Sequence, residues 1–248
     1  MLKLYNGDCL EIMQRIPDNS VDLILCDLPY GTTDCKWDSV IPYDQLWEQY
    51  GRVLKEKGRA VLFCAQPFTT TLIHSNLKQF SHVWYWLKNR ATGHLIAKKQ
   101  PMRLVEDIAV FTMGGSGKAT YNPQGIRQLD KPRVKEERAD NQSAIYQGVK
   151  PKVYTQTQTG YPKNVLRYDA KCNNRLHPSE KPVELLEYLI KTYSNCGETV
   201  LDNCMGSGST GIACLNTGRR FIGIEKERQY FDVSCNRFCE WLNMREAA

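Results

Sequence analysis

The stretch "TVLDNCMGSGSTGIACLNTGRRFIGIE", residues 199–225, leaves few folds open to this chain. An apolar run ends at Asp202, a turn carrying Gly206 and Gly208 follows, a helix-forming segment begins near Ser209, and a second apolar run ends at Glu225. Strand, glycine turn, helix, strand is the repeating unit of a parallel sheet, because two parallel strands need a long crossover and a helix supplies it. The same residues imply a ligand. Glycine lets the backbone come close to a bound group with no Cβ in the way. The helix N-terminus presents free N–H groups, and an acid at the tip of the second strand suits ribose hydroxyls. Glu225 stands 17 residues after Gly208. Gly211 also completes a GxGxxG spacing, so the unit implies a nucleotide-type site without identifying the nucleotide.

The rest of the chain continues the alternation. Residues 2–6 and 21–26 read as strands around a short helix, "CLEIMQRI". "YDQLWEQYGRVLKEKG" has helical spacing and a C-terminal signal at Gly58. "RAVLFCA", "HVWYWLK" and "EDIAVFT" read as strands, "PFTTTLIHSNLKQ" and "PVELLEYLIKTYS" as helices, and "KERQYFDVSCNRFCEWLNMRE" as a closing helix. This order implies an α/β fold with a mostly parallel sheet covered on both faces. Residues 114–160 break the pattern, being rich in Gly, Pro, Gln, Lys and Arg with little periodicity. The expected organisation is therefore 1–113 and 161–248 as one fold, with 114–160 as an insertion.

Charge marks the same segment. Between Gly114 and Arg175 twelve Lys and Arg face five Asp and Glu, a balance of +7, whereas the whole 248-residue chain carries +6, leaving −1 for the remainder. A local basic excess of this kind points to a polyanion. No run approaches the ~18 apolar residues of a membrane helix. The N-terminus lacks the basic start and apolar run of a secretion signal. Ten cysteines, mostly in apolar or helix-like contexts and without a CxxC pair, read as reduced thiols of a cytoplasmic protein. The four histidines have no ligand spacing, so no metal is expected.

A second motif supplies the chemistry. "LILCDLPYG" ends a buried run with Asp27-Leu28-Pro29-Tyr30. The Asp27 carboxylate and the Leu28 carbonyl can each accept a hydrogen bond. Pro29 holds Leu28 extended, and Tyr30 offers a flat face. Two acceptors and a ring suit an exocyclic amino group on a planar base.

"DLPYG" followed by "LDNCMGSGSTG" resembles the S-adenosylmethionine-dependent amino DNA methyltransferases. The target-base motif precedes the cofactor motif, with a basic segment between, an order similar to the β group of that family. "RLHPSEKPVELL" resembles its HPTQKP element, "KKQPMRLVEDIAVF" continues the likeness, and "NGDCLE" resembles the short acidic stretch beside the cofactor adenine. "DLPYGTT…KWD" looks like a phage or prophage branch. Leu28 stands where the family has its first proline of DPPY, and Asn203 and Cys204 stand where it has Pro and Phe.

The resemblance implies a Rossmann-like methyltransferase fold with a seven-stranded sheet, permuted motif order and a target-recognition insertion. It implies a catalytic group of Asp27, Leu28, Pro29 and Tyr30. Asp8, Cys9, Asp27, Lys181, Asp202, Asn203, Gly206, Gly208, Glu225 and Lys226 become the expected S-adenosylmethionine site. The expected substrate is the N6 of adenine in double-stranded DNA, reached by flipping the base onto Tyr30. Lys98, Lys99, Arg127, Arg133 and Arg138 are the expected DNA contacts. A homodimer and a cognate restriction enzyme are further partners the family implies.

Other readings stay open at this point. They are an N4-cytosine enzyme, an RNA or protein-amide methyltransferase, a non-catalytic DNA-binding relative and a nicotinamide dehydrogenase. The motif order argues against an RNA or protein-amide enzyme, the intact Asp27, Tyr30, Gly206, Gly208 and Glu225 against a non-catalytic relative, and the DLPY turn with the basic insertion against a dehydrogenase, while the aspartate before LPY resembles adenine rather than cytosine enzymes. A cysteine nucleophile for carbon-5 chemistry is disfavoured, since neither Cys26 nor Cys35 lies in a Pro-Cys motif.

Overall fold

A computed structural model describes residues 1–31, 38–113, 119–136, 153–170, 176 and 180–246. The chain divides into two compact units, Met1–Asn122 with Asn164–Ala248, and Pro123–Lys163. These limits fall at Pro123 and Lys163, where composition places them at 114 and 160.

The first unit is built on one sheet. Its strands are β1 (Leu2–Asn6), β2 (Val21–Asp27), β3 (Leu54–Cys64), β4 (Phe80–Thr92), β5 (Arg103–Thr112), β8 (Val165–Arg167), β9 (Thr199–Asp202) and β10 (Arg220–Glu225). They lie in the order β1-β10-β9-β2-β3-β5-β4-β8. From β1 to β3 every pairing is parallel; β5 runs antiparallel to both β3 and β4, and β8 is parallel to β4. The mostly parallel α/β architecture is as expected. The sheet has eight strands among the described residues rather than seven, because the three-residue β8 adds to the β4 edge through Tyr85, Trp86 and Leu87.

The strands at the centre of the sheet are buried on both sides, which explains their unbroken apolar runs. In β2, Leu23 and Leu25 join a core with Leu185, Leu189, Ile190, Ala213 and Phe238. Those residues come from α4 (Val183–Tyr193), α5 (Ser209–Asn216) and α6 (Arg228–Glu246). Ile24 and Cys26 point the other way, to Met13, Leu46, Tyr50, Phe68 and Leu72 of α1 (Cys9–Met13), α2 (Tyr43–Val53) and α3 (Phe68–Ser75). The period-two alternation of a strand thus divides one apolar run between two cores.

Two local expectations need correction. The helix beginning at Tyr43 ends at Val53, not Gly58, and Leu54–Cys64 is strand. Pairing with β2 overrides helix propensity here. The Asn19 and Ser20 amides donate to the Arg52 and Val53 carbonyls, each at 3.0 Å, and Lys55 pairs with Asp22 at 2.8 Å. Gly58 passes an irregularity in this strand: a Cβ there would lie 2.9 Å from the Lys55 carbonyl oxygen. The second correction concerns the segment that shows little periodicity. It contains a two-stranded antiparallel ribbon, β6 (Arg127–Glu136) with β7 (Val153–Thr159).

Candidate active site

Parallel strands all open at the same end of a sheet, so the loops after β2, β9 and β10 meet there. They bound a cavity of about 730 Å³, a size suited to a small-molecule ligand. Every residue assigned from sequence to catalysis or to the cofactor lines it, except Gly208.

In the cofactor half, Glu225 ties the glycine turn to the tip of β10. Its two carboxylate oxygens accept from the Gly206 amide at 2.9 Å and the Glu227 amide at 2.8 Å. Burial pushes this carboxyl up, and the amides act against the shift. Asp202 is buried at the end of β9. Burial raises its carboxyl to about 7, opposed by the Thr210 hydroxyl and the Cys204 amide. Asn203 accepts from the Tyr50 hydroxyl at 2.6 Å, so the residue in place of the family proline is anchored in the α2 core. Asp8 caps α1 by accepting from the Leu10 amide at 2.9 Å, and its other oxygen meets Lys226 at 3.3 Å. Cys9 and Cys204 line the cavity. Cys26 lies behind them, and burial pushes its thiol up to about 12, so it is no thiolate nucleophile at neutral pH.

Gly208 stands outside that lining. It caps α5 at φ +79. A Cβ there would stand 2.7 Å from Phe238 Cζ and 3.1 Å from Ser234 Cβ. Its missing side chain makes room for α6.

On the DLPY side, Asp27 closes β2 and its side chain is 18% exposed. Oδ1 accepts from the Tyr30 hydroxyl at 2.8 Å, and Oδ2 accepts from Lys181 Nζ at 2.6 Å. Asp38 holds the turn, its Oδ1 accepting from the Tyr30 and Gly31 amides at 2.7 and 2.9 Å. The Tyr30 ring stacks on Phe68 with centroids 5.0 Å apart, which uses one face of the ring. Burial, then the Asp27 charge, pushes the Tyr30 hydroxyl well up, so it stays a neutral donor.

Several residues of this site escaped the sequence reading. Lys181 also approaches Glu106 Oε2 at 3.6 Å, and Glu106 Oε1 accepts from Lys88 at 2.8 Å. Burial alone would push Glu106 up, but Lys181 and Lys88 outweigh it and hold the carboxyl below its ordinary value. Glu180 accepts from the Leu176 amide at 2.9 Å and pairs with Arg237 of α6 at 3.2 Å. Glu106 and Glu180 both lie inside quoted motifs, "EDIAVF" and "HPSEKP"; the available signal was an acid within an otherwise apolar or turn-forming stretch.

Of the expected DNA contacts, Lys98 and Lys99 are exposed just beyond a 3₁₀ turn, His94–Ile96. Arg127 and Arg133 are exposed on β6. Arg138 lies outside the described residues, as do His177, Cys35 and most of the central part of the insertion. Among the described residues no cluster of His, Cys, Asp or Glu is arranged to hold a metal ion. None of their helices is long and apolar enough to cross a membrane.

A mostly parallel sheet with acids and a glycine turn at its carboxyl end, facing a DLPY turn across one cavity, has the architecture of a Rossmann-like methyltransferase. The chain belongs to the DNA methylase family of N6 and N4 amino-methyltransferases, whose model matches residues 21–236. It is 32% identical over 232 residues to the putative methylase YubD of Escherichia coli (strain K12), covering 93% of this chain and 87% of that protein. It is 28% identical over 253 residues to the DNA adenine methyltransferase YhdJ of the same organism, covering 94% and 81%. Among solved structures, the M1.HpyAVI–SAM complex matches with TM-score 0.63 at 24% identity, covering 96% of this chain and 100% of that one. The PvuII cytosine-N4-specific DNA methyltransferase matches with TM-score 0.69 at 16% identity, covering 96% and 86%.

Proposed function

We propose that this protein transfers a methyl group from S-adenosylmethionine to the N6 of adenine in double-stranded DNA. One observation carries the proposal: the Asp27-Leu28-Pro29-Tyr30 turn and the Gly206–Glu225 cofactor turn share a single cavity. The aspartate before LPY, in place of the serine more often found in N4-cytosine enzymes, and the likeness to YhdJ favour adenine.

The donor set fits S-adenosylmethionine. Glu225 and Asp8 offer carboxylates to hydroxyl and amino groups, Gly206 leaves the turn without a Cβ, and Asp202 and Asp27 offer carboxyl groups to a cationic ligand. Bound there, the cofactor supplies an electrophilic methyl carbon on a sulfonium.

The chain's own residues act on the acceptor. An exocyclic amine is a poor nucleophile because its lone pair is delocalised into the ring. Hydrogen bonds from its two N–H groups to the Asp27 carboxylate and the Leu28 carbonyl draw the nitrogen toward a tetrahedral shape and free the lone pair. As positive charge grows on that nitrogen, Asp27 stabilises it and faces the proton that must leave. Positioning provides the rest of the acceleration. The amino group is out of reach inside a duplex, so the base is flipped, and Tyr30 packs against it. The basic ribbon, with Arg127 and Arg133, lies along the DNA and contributes to target recognition.

The test is incubation with unmethylated DNA and methyl-labelled S-adenosylmethionine, followed by digestion to nucleosides and mass spectrometry. The expected product is N6-methyladenine, and Asp27→Asn should lower its rate by at least about 100-fold. Labelled N4-methylcytosine would replace the base assignment while keeping the enzyme class. Label on RNA or protein but none on DNA would refute the substrate.

A further inference from the structure

Lys181 lies between two carboxylates and is tightly bonded to only one. Its Nζ is 2.6 Å from Asp27 Oδ2 and 3.6 Å from Glu106 Oε2. Glu106 Oε2 is buried and has no hydrogen-bond partner, while Oε1 is taken by Lys88 at 2.8 Å. A buried acceptor left without a donor is costly, and native proteins keep few of them. Two acids and two lysines balance in charge here, so neutrality alone does not account for the open oxygen.

Methyl transfer to an amine does account for it. Asp27 has to take an N–H of the target amine and stabilise the positive charge growing on that nitrogen. An ammonium at 2.6 Å on Oδ2 opposes both tasks, and Oδ1 already holds the Tyr30 hydroxyl. A buried cation moving off one carboxylate is best received by another close at hand. Glu106 Oε2 lies one short displacement away. The Phe63 ring, 5.1 Å from Nζ, gives the ammonium a face to move across. Lys88 clamps the other oxygen and keeps Glu106 anionic, ready to receive it.

We propose that Glu106 is a second seat for the Lys181 ammonium. When the target amino group docks on Asp27, Nζ passes to Glu106 Oε2 and leaves Asp27 Oδ2 to the amine. The proposal rests on reading the cavity as an amino-methyltransferase site. It makes Glu106 and Lys181 positioning residues: one hydrogen bond is exchanged for another, and no covalent bond changes.

Glu106→Gln keeps the shape and removes the anionic seat. The expected result is a fall in kcat of roughly 10- to 100-fold, the range seen when a supporting partner of a functional group is lost. KM for DNA and cofactor Kd should stay within about twofold, since on this reading the exchange serves the transfer step rather than ground-state binding. The decisive readout is coupling to Lys181→Met. With no ammonium to seat, adding Glu106→Gln should change kcat less than about twofold. The full Glu106→Gln penalty persisting in the Lys181→Met background would overturn the proposal, as would an unchanged kcat in Glu106→Gln itself. Should Glu106→Gln melt because Lys88 loses its partner, Lys88→Met with Glu106→Gln leaves Asp27 and Lys181 as a neutral pair, and its kcat against that of Lys88→Met alone decides the question, an unchanged kcat overturning the proposal. Failure of the wild-type protein to methylate DNA would sink the functional reading instead, so the two failures are told apart.

Discussion

Gly208→Ala separates a cofactor role for the second glycine from a packing role. Two costs add at this position. The residue sits at φ +79, where an L side chain costs about 1–2 kcal/mol. The new Cβ would stand 2.7 Å from Phe238 Cζ and 3.1 Å from Ser234 Cβ, and overpacking of this kind costs about 1–3 kcal/mol. Together they predict a loss of roughly 2–5 kcal/mol, or about 5–15 °C in Tm for a chain this long. The assay pairs scanning calorimetry with isothermal titration of S-adenosylmethionine at a temperature where both proteins are folded. Cofactor affinity should be nearly unchanged, since Gly208 does not line the cavity. Phe238→Leu in the Gly208→Ala background should recover part of the steric share but none of the backbone share. A variant with wild-type Tm and at least about tenfold weaker cofactor binding would refute the packing argument and return Gly208 to the ligand.

Two further outcomes follow from the same geometry. The Asp202 carboxyl is raised by burial from 3.8 to about 7, so its neutral form is favoured by folding. That stability is fully present below pH 3.8 and is lost as pH rises through about 7. Asp202→Asn should therefore be more stable than the wild type at pH 8, by up to roughly 4 kcal/mol. Urea midpoints at pH 5 and 8 check this, and parallel pH dependences in the two proteins would count against it. Asp38→Ala releases the Tyr30 and Gly31 amides. It should cut kcat/KM for DNA by an amount worth about 1–3 kcal/mol without weakening cofactor binding; an unchanged kcat/KM would show that the turn holds itself.

Much of the site is local in sequence and was readable for that reason. A strand followed by a glycine turn and a helix repeats its geometry in any parallel sheet, so the positions of Asp202, Gly206 and Glu225 at one rim follow from their order. The DLPY turn gains its rigidity from Pro29 and its acceptors from two adjacent residues. The end of α2 is not legible in the sequence because "VLKEKG" contains good helix formers. Pairing with β2, together with the Lys55–Asp22 contact across 33 positions, outweighs that weak preference. The β6–β7 ribbon has no apolar alternation, because Val134, Val153 and most of its other side chains are exposed. Without a buried face, a strand has no period to read.

The sequence by itself determined the layer architecture and the end of the sheet where ligands gather. Each of these depends on contacts a few residues apart or on the fixed direction of parallel strands. Only the tertiary structure decided which charges meet. Lys181 reaches Asp27 across 154 positions and shares Glu106 with Lys88. Only the structure shows Gly208 packed against Phe238 and Ser234 of α6. Charges attract through space, and a Cβ collides through space. Which side chain stands within a few ångströms of another is set by how the helices close over the sheet, and no local spacing encodes that distance.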